Sequence, residues 1–260
     1  MRTLLDADEP AAVEIVNPTG TGSAVLVCDH ASNRLPRRLG TLGLGAAELA
    51  DHVAWDPGAA EVARRAADRL DAPLVLSGYS RLAIDCNRPL ESPASIPARS
   101  EGVPVPGNQM LGPEDRALRV DGLFSPYHQA IGELLDRRAG RPTLLLSIHS
   151  FTKVLAGQDR PWAIGFSYGR DRRLAALILE AMSRDPGLVV GDNQPYCVDD
   201  TIDYTIPAHG EGRGLPHVLI EIRQDRIASP TDAAAWATRL AATLRAVEPA
   251  AVRLCETSPR

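Results

Sequence analysis

Three polar motifs stand where apolar runs end: Asp29-His30 after residues 24–28, His149-Ser150 after 143–148, and Glu221-Ile222-Arg223 at the close of 217–222. Two imidazoles and a carboxylate so placed are the toolkit of a metal hydrolase. A catalytic zinc takes three protein ligands and keeps one position open. His30 and His149 offer two nitrogens. The third ligand is sought among Asp56, His52 and Asp29, because His52-Val53-Ala54-Trp55-Asp56 holds two choices in one short stretch. Spacing alone does not select among them, and Asp56 also suits a helix cap ahead of Pro57-Gly58. Asn87-Arg88 is fitted to hold a carboxylate, the Arg through a planar two-pronged hydrogen bond and the Asn through one directional donor. The structural alternative is an Arg tied to an Asp such as Asp85. Glu221 reads as a general base or, structurally, as the partner of Arg223 or Arg213. Tyr196, His209 and Arg213, in the polar stretch 192–214, are candidates for a pocket wall; His128 and His217 read as packing residues.

These residues need elements that bring strand ends together. Apolar runs at 24–28, 73–77, 143–148, 162–167, 188–190 and 217–222 read as strands, and 58–70, 113–138, 172–182 and 231–247 as helices, the last capped by Thr231. Strands that alternate with helices predict an α/β protein with a mixed, largely parallel sheet. In such sheets ligands bind beyond the carboxyl ends of the strands, where the three motifs lie. Residues 90–112, rich in Pro, Gly and Ser, form a loop of a length that is usually functional. No repeat and no sharp composition break divides the 260 residues, so a single domain over 1–260 is expected.

Composition removes several classes. Hydrophobic residues at 44% and charged residues at 23% describe an ordinary globular chain, which excludes collagen, coiled coil and disorder. No apolar run reaches the ~18 residues of a membrane span, and the first ten residues lack a basic-then-apolar leader. A net charge of −5 argues against generic nucleic-acid binding. The four cysteines, Cys28, Cys86, Cys197 and Cys255, form no CxxC pair, and a reducing cytoplasm is the expected setting.

Taken together the motifs resemble one family. Asp29-His30-Ala31-Ser32-Asn33 with Pro36, then His52-Val53-Ala54-Trp55-Asp56-Pro57-Gly58-Ala59, are similar to the N-formylglutamate amidohydrolases. So are Ser80-Arg81-Leu82 through Asp85-Cys86-Asn87-Arg88-Pro89, Ser147-Ile148-His149-Ser150-Phe151-Thr152, and Gly214-Leu215-Pro216-His217 through Glu221-Ile222-Arg223-Gln224-Asp225. The resemblance spans about residues 20–230 and is nearer to the broad predicted branch of the family than to its histidine-degradation enzymes, which open on a Pro-His-Ser-Gly type of motif. It implies a zinc-exopeptidase-like (phosphorylase/hydrolase-like) fold, one zinc per chain, and hydrolysis of an N-formyl or other small N-acyl group from an amino acid. By the same resemblance His30 and His149 are metal ligands, Glu221 is the base, and Asn87-Arg88 is the carboxylate clamp. Arg81 then adds a second positive charge, for a side-chain carboxylate or for the oxyanion. Asn33 stands where the fold relatives carry a ligating Glu, so the third ligand is assigned to Asp56 with His52 in reserve. The expected partner is a small N-acyl amino acid, not a nucleic acid or a membrane. The competing class is a non-enzymatic binder that keeps the clamp and lacks the metal, for which Asn33 is the main support.

Overall fold

The computed structural model describes residues 2–256. Its strands are β1 (Val13–Val16), β2 (Ala24–Cys28), β3 (Leu74–Ser77), β4 (Arg99–Ser100), β5 (Val103–Pro104), β6 (Leu144–Phe151), β7 (Val154–Leu155), β8 (Gln158–Asp159), β9 (Ile164–Ser167), β10 (Val190–Asp192) and β11 (His217–Arg223). The helices are α1 (Ala46–Ala50), α2 (Ala59–Leu70), α3 (Pro113–Arg119), α4 (Ser125–Asp136), α5 (Arg173–Met182) and α6 (Pro230–Leu254). Seven strands form one sheet in the order β1-β3-β2-β6-β11-β9-β10. The central four run parallel, while β1 and β9 join antiparallel to their inner neighbours. The chain is thus a mixed α/β protein with a largely parallel sheet, as expected. No helix among the described residues is long and apolar enough to cross a membrane.

Burial explains why β2 reads as an unbroken apolar run. All five of its residues are buried because both faces of the sheet are covered. Ala24, Leu26 and Cys28 pack with α2, α5 and α6, while Val25 and Val27 pack with α4 on the other face. Side chains alternate along a strand, so each face takes every second residue.

Several boundaries differ from the sequence reading. β6 continues through His149 to Phe151, because its parallel register with β11 persists to the Phe151–Arg223 pair. His149 therefore lies inside the strand and shares a face with Ser147 and Phe151. The helix expected over 113–138 is α3 and α4 joined by a wider, π-type turn at Val120–Phe124. Pro126, just beyond it, has no N–H to give to the carbonyl one turn back. Helix α6 is capped by Ser229, whose hydroxyl accepts from the Asp232 amide at 3.1 Å, and not by Thr231. Pro230 occupies the first helical position, which makes the preceding residue the cap. β1 was not anticipated; it is a four-residue edge strand with half its residues exposed.

Candidate active site at the carboxyl edge of the sheet

β2 ends at Cys28, and the next two residues turn Asp29 and His30 inward, both buried. Asp56 sits at the entrance to α2, held by its amide donating to the His30 carbonyl at 3.0 Å. The turn that follows needs glycine: Gly58 has φ +81°, and a Cβ there would lie 2.6 Å from the Ile227 carbonyl oxygen. β6 supplies His149. The two imidazole rings meet edge to face at 4.9 Å between centroids.

Their Nδ1 atoms converge on one oxygen. His30 Nδ1 lies 3.4 Å and His149 Nδ1 2.9 Å from Asp56 Oδ2. One ligating atom from each of His30, Asp56 and His149 falls within 4.8 Å of the others. The far side of each ring is held by another carboxylate: His30 Nε2 donates to Asp85 Oδ1 at 2.8 Å, and His149 Nε2 to Asp29 Oδ2 at 2.9 Å. With both Nε2 atoms protonated, the Nδ1 lone pairs face the Asp56 carboxylate, so a positive charge is needed between them. In the metal-free chain protons supply it. Burial opposes the charged ring, yet the bonds to Asp29 and Asp56 hold the His149 proton well above its ordinary range. Burial likewise opposes ionisation of Asp56, yet the two His charges keep its carboxyl below the usual range. Two nitrogens and one carboxylate oxygen, each ring backed by a carboxylate, fit a zinc-type cation.

Asp29 and His52, the other candidates for third ligand, are engaged elsewhere. Asp29 also accepts from Ser147 Oγ at 2.9 Å and Thr205 Oγ1 at 2.6 Å. His52 bonds through both ring nitrogens, to Asp51 and to Glu101, each at 2.6 Å. The Glu101 hydrogen bond is the main reason that the His52 pKa is raised to about 9. Asn33 turns outward and donates to the Leu49 carbonyl at 2.9 Å, away from the cluster.

Glu221 lies on β11 in register with His149. Its side chain is buried, and Oε2 makes no hydrogen bond among the described residues. Burial pushes its pKa up to about 7, against the lowering influence of the His149 charge. Neither expected ion-pair partner reaches it: Arg223 binds Asp225, and Arg213 binds Asp136.

A cavity of about 460 Å³ opens over these groups, with Arg81, Asn87 and Arg88 in its wall. Arg81 grips Asp85 Oδ2 through Nε (3.0 Å) and Nη2 (2.6 Å), and its Nη1 stands 3.7 Å from Asp56 Oδ1. Asp203 unites the Asn87-Arg88 pair, since its Oδ1 accepts from Asn87 Nδ2 at 3.1 Å and Arg88 Nη1 at 3.0 Å. Asn87 Oδ1 accepts from the Tyr204 and Thr205 amides. Among the described residues the Arg88 guanidinium is engaged only through Nη1, which also reaches the Ile202 and Asn87 carbonyls.

Of the three candidates in the 192–214 stretch, only Tyr196 lines the cavity. His209 pairs with His128, Nε2 to Nδ1 at 3.0 Å, and burial lowers both pKa values to about 4. His217 donates to the Leu215 carbonyl. Sequence reasoning missed Asp203 and Glu101, which lie in the two irregular stretches and meet their partners only through tertiary folding.

A family model described as N-formylglutamate amidohydrolase matches residues 22–228. Among solved structures, the Agrobacterium tumefaciens gene product Atu2144 is similar at TM-score 0.90 and 39% identity, over 94% of this chain and 99% of that one. N-formylglutamate amidohydrolase from Ralstonia eutropha JMP134 is similar at TM-score 0.69 and 18% identity, over 91% and 99%. No curated protein sequence matches the chain.

Proposed function

The chain belongs to the N-formylglutamate amidohydrolase family, and on that premise we propose that it is a zinc-dependent amidohydrolase releasing a formyl, or other small acyl, group from the nitrogen of an amino acid. One observation carries this reading. His30 Nδ1, His149 Nδ1 and Asp56 Oδ2 converge in the same cavity wall that holds the unpartnered, buried Glu221 Oε2. Buried polar atoms are usually hydrogen-bonded, so an unpaired carboxylate oxygen in the wall of the cavity that holds the cluster supports a chemical role.

His30, Asp56 and His149 would hold one zinc, which supplies Lewis acidity toward an amide carbonyl and toward water. Glu221 takes a proton from the attacking water on a carboxylate oxygen. It delivers that proton to the nitrogen as the carbon–nitrogen bond breaks, leaving formate and a free amino acid. Its pKa of about 7 suits both directions of transfer at neutral pH. Asp203 pins Nη1 of Arg88, so the remaining Nε and Nη2 edge holds the amino-acid α-carboxylate, with the second Asn87 amide hydrogen beside it. Arg81, already committed to Asp85, contributes its charge to the oxygen that turns anionic during attack. The non-metal binder is not favoured, because Asn33, its main support, is turned away from the cluster.

A panel of N-formyl and N-acetyl amino acids, assayed for amine release before and after chelation, tests the reading. Release from at least one N-formyl substrate, lost with the metal and restored with zinc, is expected. Absence of release across the panel by zinc-loaded protein would overturn it.

A further inference from the structure

Charge and apolar surface are divided within the cavity. Of the basic side chains that line it, Arg81 has Asp85, His52 has Asp51 and Glu101, and His30 and His149 have Asp29, Asp56 and Asp85. Arg88 has Asp203 and keeps one donor edge, which the α-carboxylate takes. A second carboxylate on the substrate would find no basic group left in the wall, among the described residues, and would meet the carboxylates of Glu101 and Asp203 there. Taking a charge out of water without a partner is disfavoured. Arg160 does not line the cavity; its Nη1 donates to the hydroxyl of Tyr196, which does.

The rest of the wall is largely apolar, formed by Phe151, Leu155, Tyr196, Val198, Ile202 and Leu219. The neutral polar groups Ser150, Ser167 and Gln224 beside them are hydrogen-bonded within the protein. Tyr196 is 40% and Ile202 51% exposed, and an apolar group entering the cavity would take that surface out of water. Ile202 is also tied to the clamp, because its carbonyl accepts from Arg88 Nη1 at 3.3 Å. In an α-amino acid the carboxylate and the side chain branch from one carbon. A carboxylate held on Arg88 therefore brings the side chain to the part of the wall beside Ile202. A volume of about 460 Å³ leaves room there for a bulky group beyond the formyl amide and the α-carboxylate.

We propose that this apolar wall, with Ile202 beside the clamp, is the side-chain subsite, and that the substrates of this chain are N-acyl derivatives of apolar amino acids such as leucine. The inference rests on the amidohydrolase reading above, with Arg88 taking the α-carboxylate. It departs from the acidic substrate in the family's description, for whose second carboxylate this wall has no cation.

The test compares N-formylleucine, N-formylglycine and N-formylglutamate on zinc-loaded parent, Ile202→Ser and Ile202→Arg. Ile202 is exposed, so its variants should fold. Binding of L-leucine and L-glutamate, by calorimetry, gives a readout independent of turnover. In the parent, kcat/KM for the leucine substrate should exceed that for the glutamate and glycine substrates by about 10- to 100-fold, the size of burying one large aliphatic side chain. Ile202→Ser should lower the leucine-to-glycine ratio several-fold and leave turnover of the glycine substrate at the parental rate, which general damage to the fold would not. Ile202→Arg adds the missing cation and removes apolar surface, so the leucine-to-glutamate ratio should fall by about 10-fold. A parent that prefers the glutamate substrate, or is indifferent to the side chain, overturns the subsite, as do ratios that both variants keep at the parental value. Turnover without a preference for leucine leaves the amidohydrolase reading standing and removes the subsite. Ile202-dependent preference for L-leucine in binding, without turnover of any substrate, does the reverse.

Discussion

Replacing Glu221 by Gln separates a catalytic carboxylate from a structural one, because the two roles predict opposite changes in stability. The folded Glu221 pKa is raised by burial from 4.5 to about 7. Between those values the folded metal-free chain holds a proton that the unfolded chain has lost, so stability falls as pH rises through the window and stays lower above it. At 1.36 kcal/mol per pKa unit, ionising this carboxyl costs the metal-free fold about 3 kcal/mol at pH 8. Gln has nearly the same shape and no charge to bury, so the variant should be the more stable of the two at pH 8 and nearly equal to the parent at pH 4. The unpaired amide takes back part of that gain. At about 2–4 °C per kcal/mol for a chain of this size, a rise in Tm of several degrees is expected in chelated protein. Turnover of zinc-loaded protein should fall by about 10²–10⁴-fold, the usual weight of general acid–base catalysis. Thermal melts at the two pH values and amine release per mole of zinc-loaded protein measure both effects. A variant that melts lower than the parent at pH 8 while keeping its specific activity would refute the argument.

Arg88→Lys keeps the charge but loses the planar edge left open beside Asp203, and kcat/KM on an N-formyl amino acid should fall by about 10-fold or more; unchanged kinetics would remove the clamp. Asp85→Asn removes the carboxylate behind His30 Nε2, and zinc affinity measured by competition with a chelator should weaken by about 10–100-fold. For His52 the folded pKa of about 9 exceeds the ordinary 6.5, so its pairing with Glu101 and Asp51 stabilises the fold fully below pH 6.5 and is lost as pH rises through about 9. The Tm difference between parent and His52→Asn should therefore shrink from pH 6 to pH 10, with zinc content the same in both; a loss of zinc would make His52 a ligand.

What the sequence carried and what it did not divides along the distance between interacting residues. The strands of the parallel centre were legible because residues buried on both faces leave apolar runs, as in Ala24–Cys28. The polar residues that interrupt those runs were legible for the same reason, and they include His30, His149 and Glu221. Register was not legible: that Glu221 lies opposite His149 depends on pairing between β11 and β6, which no local pattern records. Asp203 and Arg88 are 115 residues apart, so the link between them exists only in the fold. That Asp56 and not His52 lies beside His30 and His149 turns on tertiary geometry, the Asp56 amide bonding to the His30 carbonyl while His52 faces Glu101. The Ser229 cap was legible and misread, since Pro230 already marks the first helical position.

The central claim is that His30, Asp56 and His149 hold one catalytic zinc, and metal content tests it most directly. Parent protein and the variants His30→Ala, Asp56→Ala and His149→Ala, each confirmed as folded, are dialysed against the same zinc buffer and measured by elemental analysis. The account predicts about one zinc per chain in the parent, the number a single three-ligand site holds, and strong loss in all three variants, with activity lost in step. Zinc retained at the parental level by the two His variants would contradict it.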